Sequence, residues 1–147
     1  MTKNDPNIKL SVFCDGGARG NPGPAACAFV LLLDGNQIHS EGKFLGVATN
    51  NQAEYQGVLE ALKYISENIT RFSQVGSVVF FLDSLLIVNQ LNGLYKIKDL
   101  ILKEKAVEAL RLIENCKLKI EKFQYVPREL NSKADALLNK TLDSQTS

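Results

Sequence analysis

Between residues 8 and 14, Ile8, Leu10, Val12 and Cys14 interleave with Lys9, Ser11 and Phe13, the period of two that turns one face of a strand into a core. The run leads into Cys14–Pro24, CDGGARGNPGP. Gly16, Gly17, Gly20 and Gly23 can take positive φ there, so the strand is expected to end at Asp15 in a glycine-rich hairpin that lets a backbone or a phosphate come close. Residues 25–33 and 38–45 are two further apolar runs joined at Asp34-Gly35, a tight-hairpin signature, so the chain opens as a three-stranded meander. His39, the only histidine, falls in the third strand among polar neighbours; it is expected to be exposed and is assigned no role.

The period then changes. Over residues 49–64, Val58, Leu59, Leu62 and Ile65 recur at helical spacing; Asn50 and Asn51 both suit the N-cap, and with Asn51 there Glu54 falls three residues on as in a capping box. After a loop at 73–77, residues 78–82 are apolar without alternation, as in a central strand covered on both faces, and Asp83 ends it. Residues 84–91 form a short helix that Asp83 could cap, and 97–115 a longer amphipathic one. Residues 117–126 form a fifth strand closed by Pro127, and 132–142 a last helix turning Ala134, Leu137, Leu138 and Leu142 inward. Asp135 sits beside that stripe, three residues after Ser132, another capping arrangement.

This order predicts an α/β fold: a five-stranded mixed sheet, a three-stranded antiparallel meander plus two parallel strands, flanked by helices. Asp15 and Asp83 then lie at carboxyl ends of neighbouring central strands, where open α/β sheets place their sites, and the helix bearing Glu54 begins near that edge.

At 147 residues the chain has the length of one domain, divided as a tail at 1–7, a folded domain at 8–142 and a tail at 143–147 that reads as disordered. Seventeen basic against sixteen acidic residues give a net charge of +1, which excludes a polybasic binder, although the segment after Tyr95 is the more basic part. Three cysteines without metal-ligand spacing suit buried thiols in a reducing compartment. No apolar run approaches the roughly 20 residues of a membrane span, so a cytoplasmic protein away from membranes is expected, and a monomer, since no helix shows an apolar face in need of a partner.

Each of the four acids thus has a plain capping or turn explanation, and the chemistry rests on their arrangement. Carboxylates crowded at one sheet edge resist ionising unless a cation is present. Hard divalent ions with oxygen-only ligands fit, and two of them about 4 Å apart suit phosphodiester hydrolysis.

Together DGGARGNPGPA, TNNQAE, the FLDS strand end and VPRELNSKADAL resemble type 1 ribonuclease H in spacing and order, across residues 8–142. The resemblance implies a ribonuclease H-like fold and an endonuclease that cleaves the RNA strand of RNA/DNA hybrids with Mg²⁺ or Mn²⁺, leaving 3′-hydroxyl and 5′-phosphate ends. It places the metal carboxylates, two ions per site, on Asp15, Glu54, Asp83 and Asp135. It places substrate contacts on Gly16, Gly17, Asn21, Asn50, Asn51, Gln52, Ser84 and Asn131, where the RNA 2′-hydroxyl marks the strand. Two departures stand out. The loop before the last aspartate has no histidine, and Arg128, seven residues before Asp135, resembles the arginine of a short archaeal and bacterial branch that could grip the scissile phosphate. No basic protrusion lies between Gly93 and Leu100, so weak and strongly salt-sensitive substrate binding is expected. Activity on double-stranded RNA, a related nuclease sharing this fold, and a silent nucleic-acid binding module are the competing readings.

Overall fold

The structure, a computed structural model, describes residues 5–145. Strands β1 (Asp5–Ala18), β2 (Gly23–Leu33) and β3 (Asn36–Ala48) form the meander. Helix α1 (Asn50–Glu67), β4 (Val75–Leu82), α2 (Leu85–Leu91), α3 (Leu100–Asn115), β5 (Ile120–Tyr125) and α4 (Ser132–Asp143) follow, with 3₁₀ turns at Ile69–Phe72 and Arg128–Leu130. The sheet order is β3-β2-β1-β4-β5; β1 pairs antiparallel with β2 and parallel with β4, and β4 pairs parallel with β5. The expected mixed α/β sheet is therefore present.

Alternation decides which face each strand buries. Leu10, Val12 and Cys14 of β1 join Phe29 and Leu31 of β2 and Val78, Phe80 and Leu82 of β4 in the main core. Onto it α1 lays Val58, Leu59, Leu62 and Ile65, all buried, worth roughly 6–12 kcal/mol gross before ordering entropy. Helix α3 covers α1 through Leu102, Ala106 and Ala109. On the opposite face α4 presses Leu138 and Leu142 against Ala26 and Ala28, two small residues that let the helix come close. On the same face Phe13 of β1 and Phe81 of β4 stack with centroids 4.7 Å apart and are only half-buried, so β4 is less fully covered than its apolar run predicts.

Several boundaries move. β1 does not stop at the glycines: Gly16 and Gly17 pair with Cys27 and Ala26, and of the four glycines only Gly20 has a positive φ. Asp5–Asn7, expected in a tail, belong to β1, and α4 runs to Asp143; residues 1–4 and 146–147 of the expected tails lie outside the described residues. Asp99 caps α3, accepting from the Leu102 N–H at 3.0 Å, so that helix starts later than its apolar pattern. α3 also leaves Leu100, Ile101, Val107 and Leu110 exposed, an apolar face that the sequence reading missed.

His39 is not an idle surface residue. Its ring stacks on Tyr64 of α1 at 3.9 Å, its Nε2 meets Glu41 at 2.8 Å, the Tyr64 hydroxyl receives the Arg71 guanidinium, and Arg71 donates to the Ile38 carbonyl at 2.8 Å.

Candidate active site

Four elements converge at the carboxyl end of the central strands. Asp15 lies near the end of β1 and is 4% exposed; its Oδ1 accepts the Gly16 N–H at 2.9 Å. Gly16 explains how α1 reaches this point, because a Cβ there would sit 2.2 Å from the Ala53 carbonyl carbon. From the helix side, Gly57 packs over Asp15, where a Cβ would stand 3.0 Å from its carbonyl oxygen. Two glycines, one per element, thus bring Glu54 against Asp15. Gly16 serves this packing and is buried.

The capping of α1 also differs from expectation. Thr49, not Asn51, is the N-cap: its hydroxyl accepts the Gln52 N–H at 3.1 Å and Gln52 Oε1 accepts the Thr49 N–H at 3.0 Å, a reciprocal box. Glu54 is therefore the fifth helical residue with no capping duty. It is 8% exposed, and its Oε2 has no hydrogen-bond partner. Leaving such an atom buried costs about 1–3 kcal/mol, and more for a charge.

Asp83 follows β4 directly and is half-buried; it does not cap α2, because the Ser84 hydroxyl does, accepting the Ile87 N–H at 3.3 Å. Ser84 thereby has a capping role. One carboxylate oxygen each from Asp15, Glu54 and Asp83 lie within 4.8 Å of one another. Asp135, in the first turn of α4, stands outside that triad but acts on its charge from nearby; Ser132 does not cap α4, and the N-cap is Asn131, whose side chain makes no capping bond.

Burial and mutual repulsion dominate the electrostatics. Asp15 is pushed up to about 7, first by burial and then by Asp83, with Asp135 adding to it. Burial, then Asp15 and Asp83, hold Glu54 well above the usual carboxylate range. Asp83 is raised by burial, an effect that the Asn131 hydrogen bond and the Arg128 charge oppose. Arg128, exposed on its 3₁₀ turn, thus faces the same site. An all-oxygen donor set, one member holding a buried orphan atom, fits a hard divalent cation.

The amide residues fall into two groups. Asn50 Oδ1 accepts the Ala18 N–H at 2.8 Å, Asn21 Oδ1 accepts the Asn50 N–H at 2.9 Å, and Gln52 Oε1 is held in the cap. Each of these oxygens already accepts a bond, and the amides of Asn21, Asn50 and Gln52 keep N–H₂ groups to donate. Half-buried Asn51 and Gly17 lie beside them. Asn131 differs: it is 1% exposed, and its amide turns inward to the Cys14 carbonyl and Asp83. Sequence reasoning missed Thr49, Gly57 and this inward turn of Asn131; a glycine inside a helical pattern was the one available signal.

An acid-lined edge of this kind, on a five-stranded mixed sheet, defines the ribonuclease H class of nucleases. Residues 13–141 match the family described as reverse transcriptase-like. The ribonuclease HI of Halobacterium salinarum is 36% identical over 144 residues, 97% of this chain and 69% of that one. Its crystal structure superposes with a TM-score of 0.82, covering 92% of this chain and 98% of that one at 36% identity. The compost-derived LC11-RNase H1, solved in complex with an RNA/DNA hybrid, gives 0.87 at 35% identity, covering 94% and 99%. A bifunctional protein of Mycobacterium tuberculosis is 34% identical over 93% of this chain, which spans only 36% of its length. The chain belongs to the type 1 ribonuclease H family, a family of hydrolases.

Proposed function

We propose that the protein cleaves the RNA strand of RNA/DNA hybrids endonucleolytically, leaving 3′-hydroxyl and 5′-phosphate ends. The observation that carries this reading is the triad of buried Asp15 and Glu54 with half-buried Asp83, and the unpartnered Glu54 Oε2. Asp15, Glu54, Asp83 and Asp135 would hold two divalent ions, Mg²⁺ or Mn²⁺, which when bound supply an activated water and charge stabilisation for the leaving oxygen. The chain's own residues do the rest. Gly16 and Gly57 hold Glu54 and Asp15 together, so little carboxylate movement is needed when a cation arrives. Asn21, Asn50 and Gln52 present donors, which suit the acceptors along a minor groove and the oxygen of a ribose 2′-hydroxyl. Asn51 and Gly17 would line the same approach, and Arg128, whose charge reaches Asp83, would meet a phosphate. The free cysteines fit the cytoplasm, and among the described residues no helix is long and apolar enough to cross a membrane.

The test is incubation with Mg²⁺ or Mn²⁺ and labelled RNA/DNA hybrid, RNA duplex, DNA duplex and single-stranded RNA. Metal-dependent cutting of the hybrid's RNA strand that chelator abolishes is the expected result, and cutting of the RNA duplex would widen the substrate range. Hybrid binding without cutting under either metal would leave a binding module instead.

A further inference from the structure

We propose that Asn131 is a positioning residue, a buried amide that ties together three of the four acid-bearing elements and so sets the separation at which their carboxylates meet a cation. The inference rests on the metal-site reading above. Asparagine at a helix N-cap ordinarily turns its side chain onto the helix's own N–H groups. Asn131 caps α4 by position, yet its side chain makes no such bond. Instead its Nδ2 donates to the Cys14 carbonyl at 2.8 Å, the residue before Asp15, and approaches Asp83 Oδ2 at 3.5 Å. Its own carbonyl accepts the Asp135 N–H at 3.1 Å. One residue therefore touches β1 beside Asp15, the Asp83 carboxylate after β4, and the backbone of Asp135 in α4.

Two observations separate this from an ordinary buried tie. Asn131 Oδ1 and Glu54 Oε2 are the two buried side-chain atoms without a partner among the described residues, and both belong to this site. Asn92 supplies the ordinary case: its Nδ2 donates to the Phe123 carbonyl at 2.8 Å and its Oδ1 accepts the Phe123 N–H, so both ends of the amide are used and no acid is involved. Asn131 leaves one end of its amide unsatisfied while the other serves the acids. Partners that orient metal-binding carboxylates typically contribute 10–100-fold in metal affinity.

The experiment is titration of Mn²⁺ alone into wild type, Asn131→Ala, Asn131→Ser and Asn92→Ala, by calorimetry and by electron paramagnetic resonance of free Mn²⁺, alongside thermal melts in chelator and KM and kcat on hybrid. Both Asn131 variants are expected to bind Mn²⁺ at least about tenfold more weakly and to lose kcat with KM within twofold. Asn92→Ala should lower Tm and keep wild-type Mn²⁺ affinity. Mn²⁺ affinity within twofold of wild type in a folded Asn131 variant would overturn the proposal, as would an equal loss in Asn92→Ala. Wild type that binds no Mn²⁺ would overturn the metal-site reading itself, and this inference with it.

Discussion

The two halves of α1 carry two polar clusters built on opposite terms. In its N-terminal half Glu54 joins Asp15 and half-buried Asp83 in a cluster of carboxyl groups, one oxygen of which has no partner. In its C-terminal half Tyr64 stacks on His39 and receives Arg71, while Glu41 takes the other side of His39 and Ile38 the other arm of Arg71. The second cluster is satisfied from within the chain and joins β3 to α1 and the turn after it. The first has internal partners for Asp15 and Asp83 but leaves Glu54 Oε2 open. Polar groups that close on themselves hold a fold together, and polar groups left open at a strand end mark where it works.

The comparison can be broken most directly by activity. Asp83→Asn is expected to lower hybrid cleavage by about 10³-fold, near 4 kcal/mol of transition-state stabilisation, measured as kcat/KM in Mg²⁺, while Tyr64→Phe changes it less than twofold. Comparable losses in both would dissolve the distinction.

Acidity sharpens it next. Because Asp15 is raised from 3.8 to about 7 in the folded state, the metal-free fold holds a proton that the unfolded chain has released. Stability in chelator should therefore be greatest below about pH 4 as far as this group is concerned, and fall by about 2–4 kcal/mol as pH rises toward 7. Urea unfolding at several pH values, each compared with Asp15→Asn, isolates that dependence; saturating Mg²⁺ should flatten it.

Packing comes third. Gly16→Ala places a Cβ 2.2 Å from the Ala53 backbone, which cannot swing aside as a side chain could. A loss of about 2–3 kcal/mol is expected, with activity falling because Glu54 is pushed from Asp15. An unchanged Tm would show that α1 is less tightly seated than described. The smallest effect belongs to the clasp: Arg71→Ala removes two hydrogen bonds from an exposed side chain and should cost about 1 kcal/mol in urea unfolding, without moving Mn²⁺ affinity.

Much of this contrast was legible beforehand, and what was not has physical reasons. Period-two runs, the helical spacing of Val58, Leu59, Leu62 and Ile65, and the Asp34-Gly35 hairpin report burial directly, so the element order and mixed sheet followed from them. That order brought Asp15, Asp83 and the helix of Glu54 to one edge, while Asp135 was added by the family resemblance. Capping was misread because Thr49, Asn50 and Asn51 can all cap, and only tertiary packing chooses Thr49. Gly16 and Gly17 look like a turn because glycine's freedom is visible in sequence, whereas its missing Cβ matters only once α1 is seated on β1. Asn131 was given to the substrate by the family resemblance alone; its side chain's tie to Cys14, 117 positions away, is not visible in the sequence. His39 likewise shows its role only beside Tyr64.

The central claim is that Asp15, Glu54 and Asp83 oppose folding when alone and favour it when a divalent cation joins them. Thermal unfolding of wild type and Asp15→Asn at pH 8, in chelator and in Mg²⁺, tests it most directly. The account predicts that Asp15→Asn melts above wild type in chelator and gains far less from Mg²⁺, reversing or erasing the gap. An Asp15→Asn protein that melts below wild type in chelator, with both gaining equally from Mg²⁺, would contradict it.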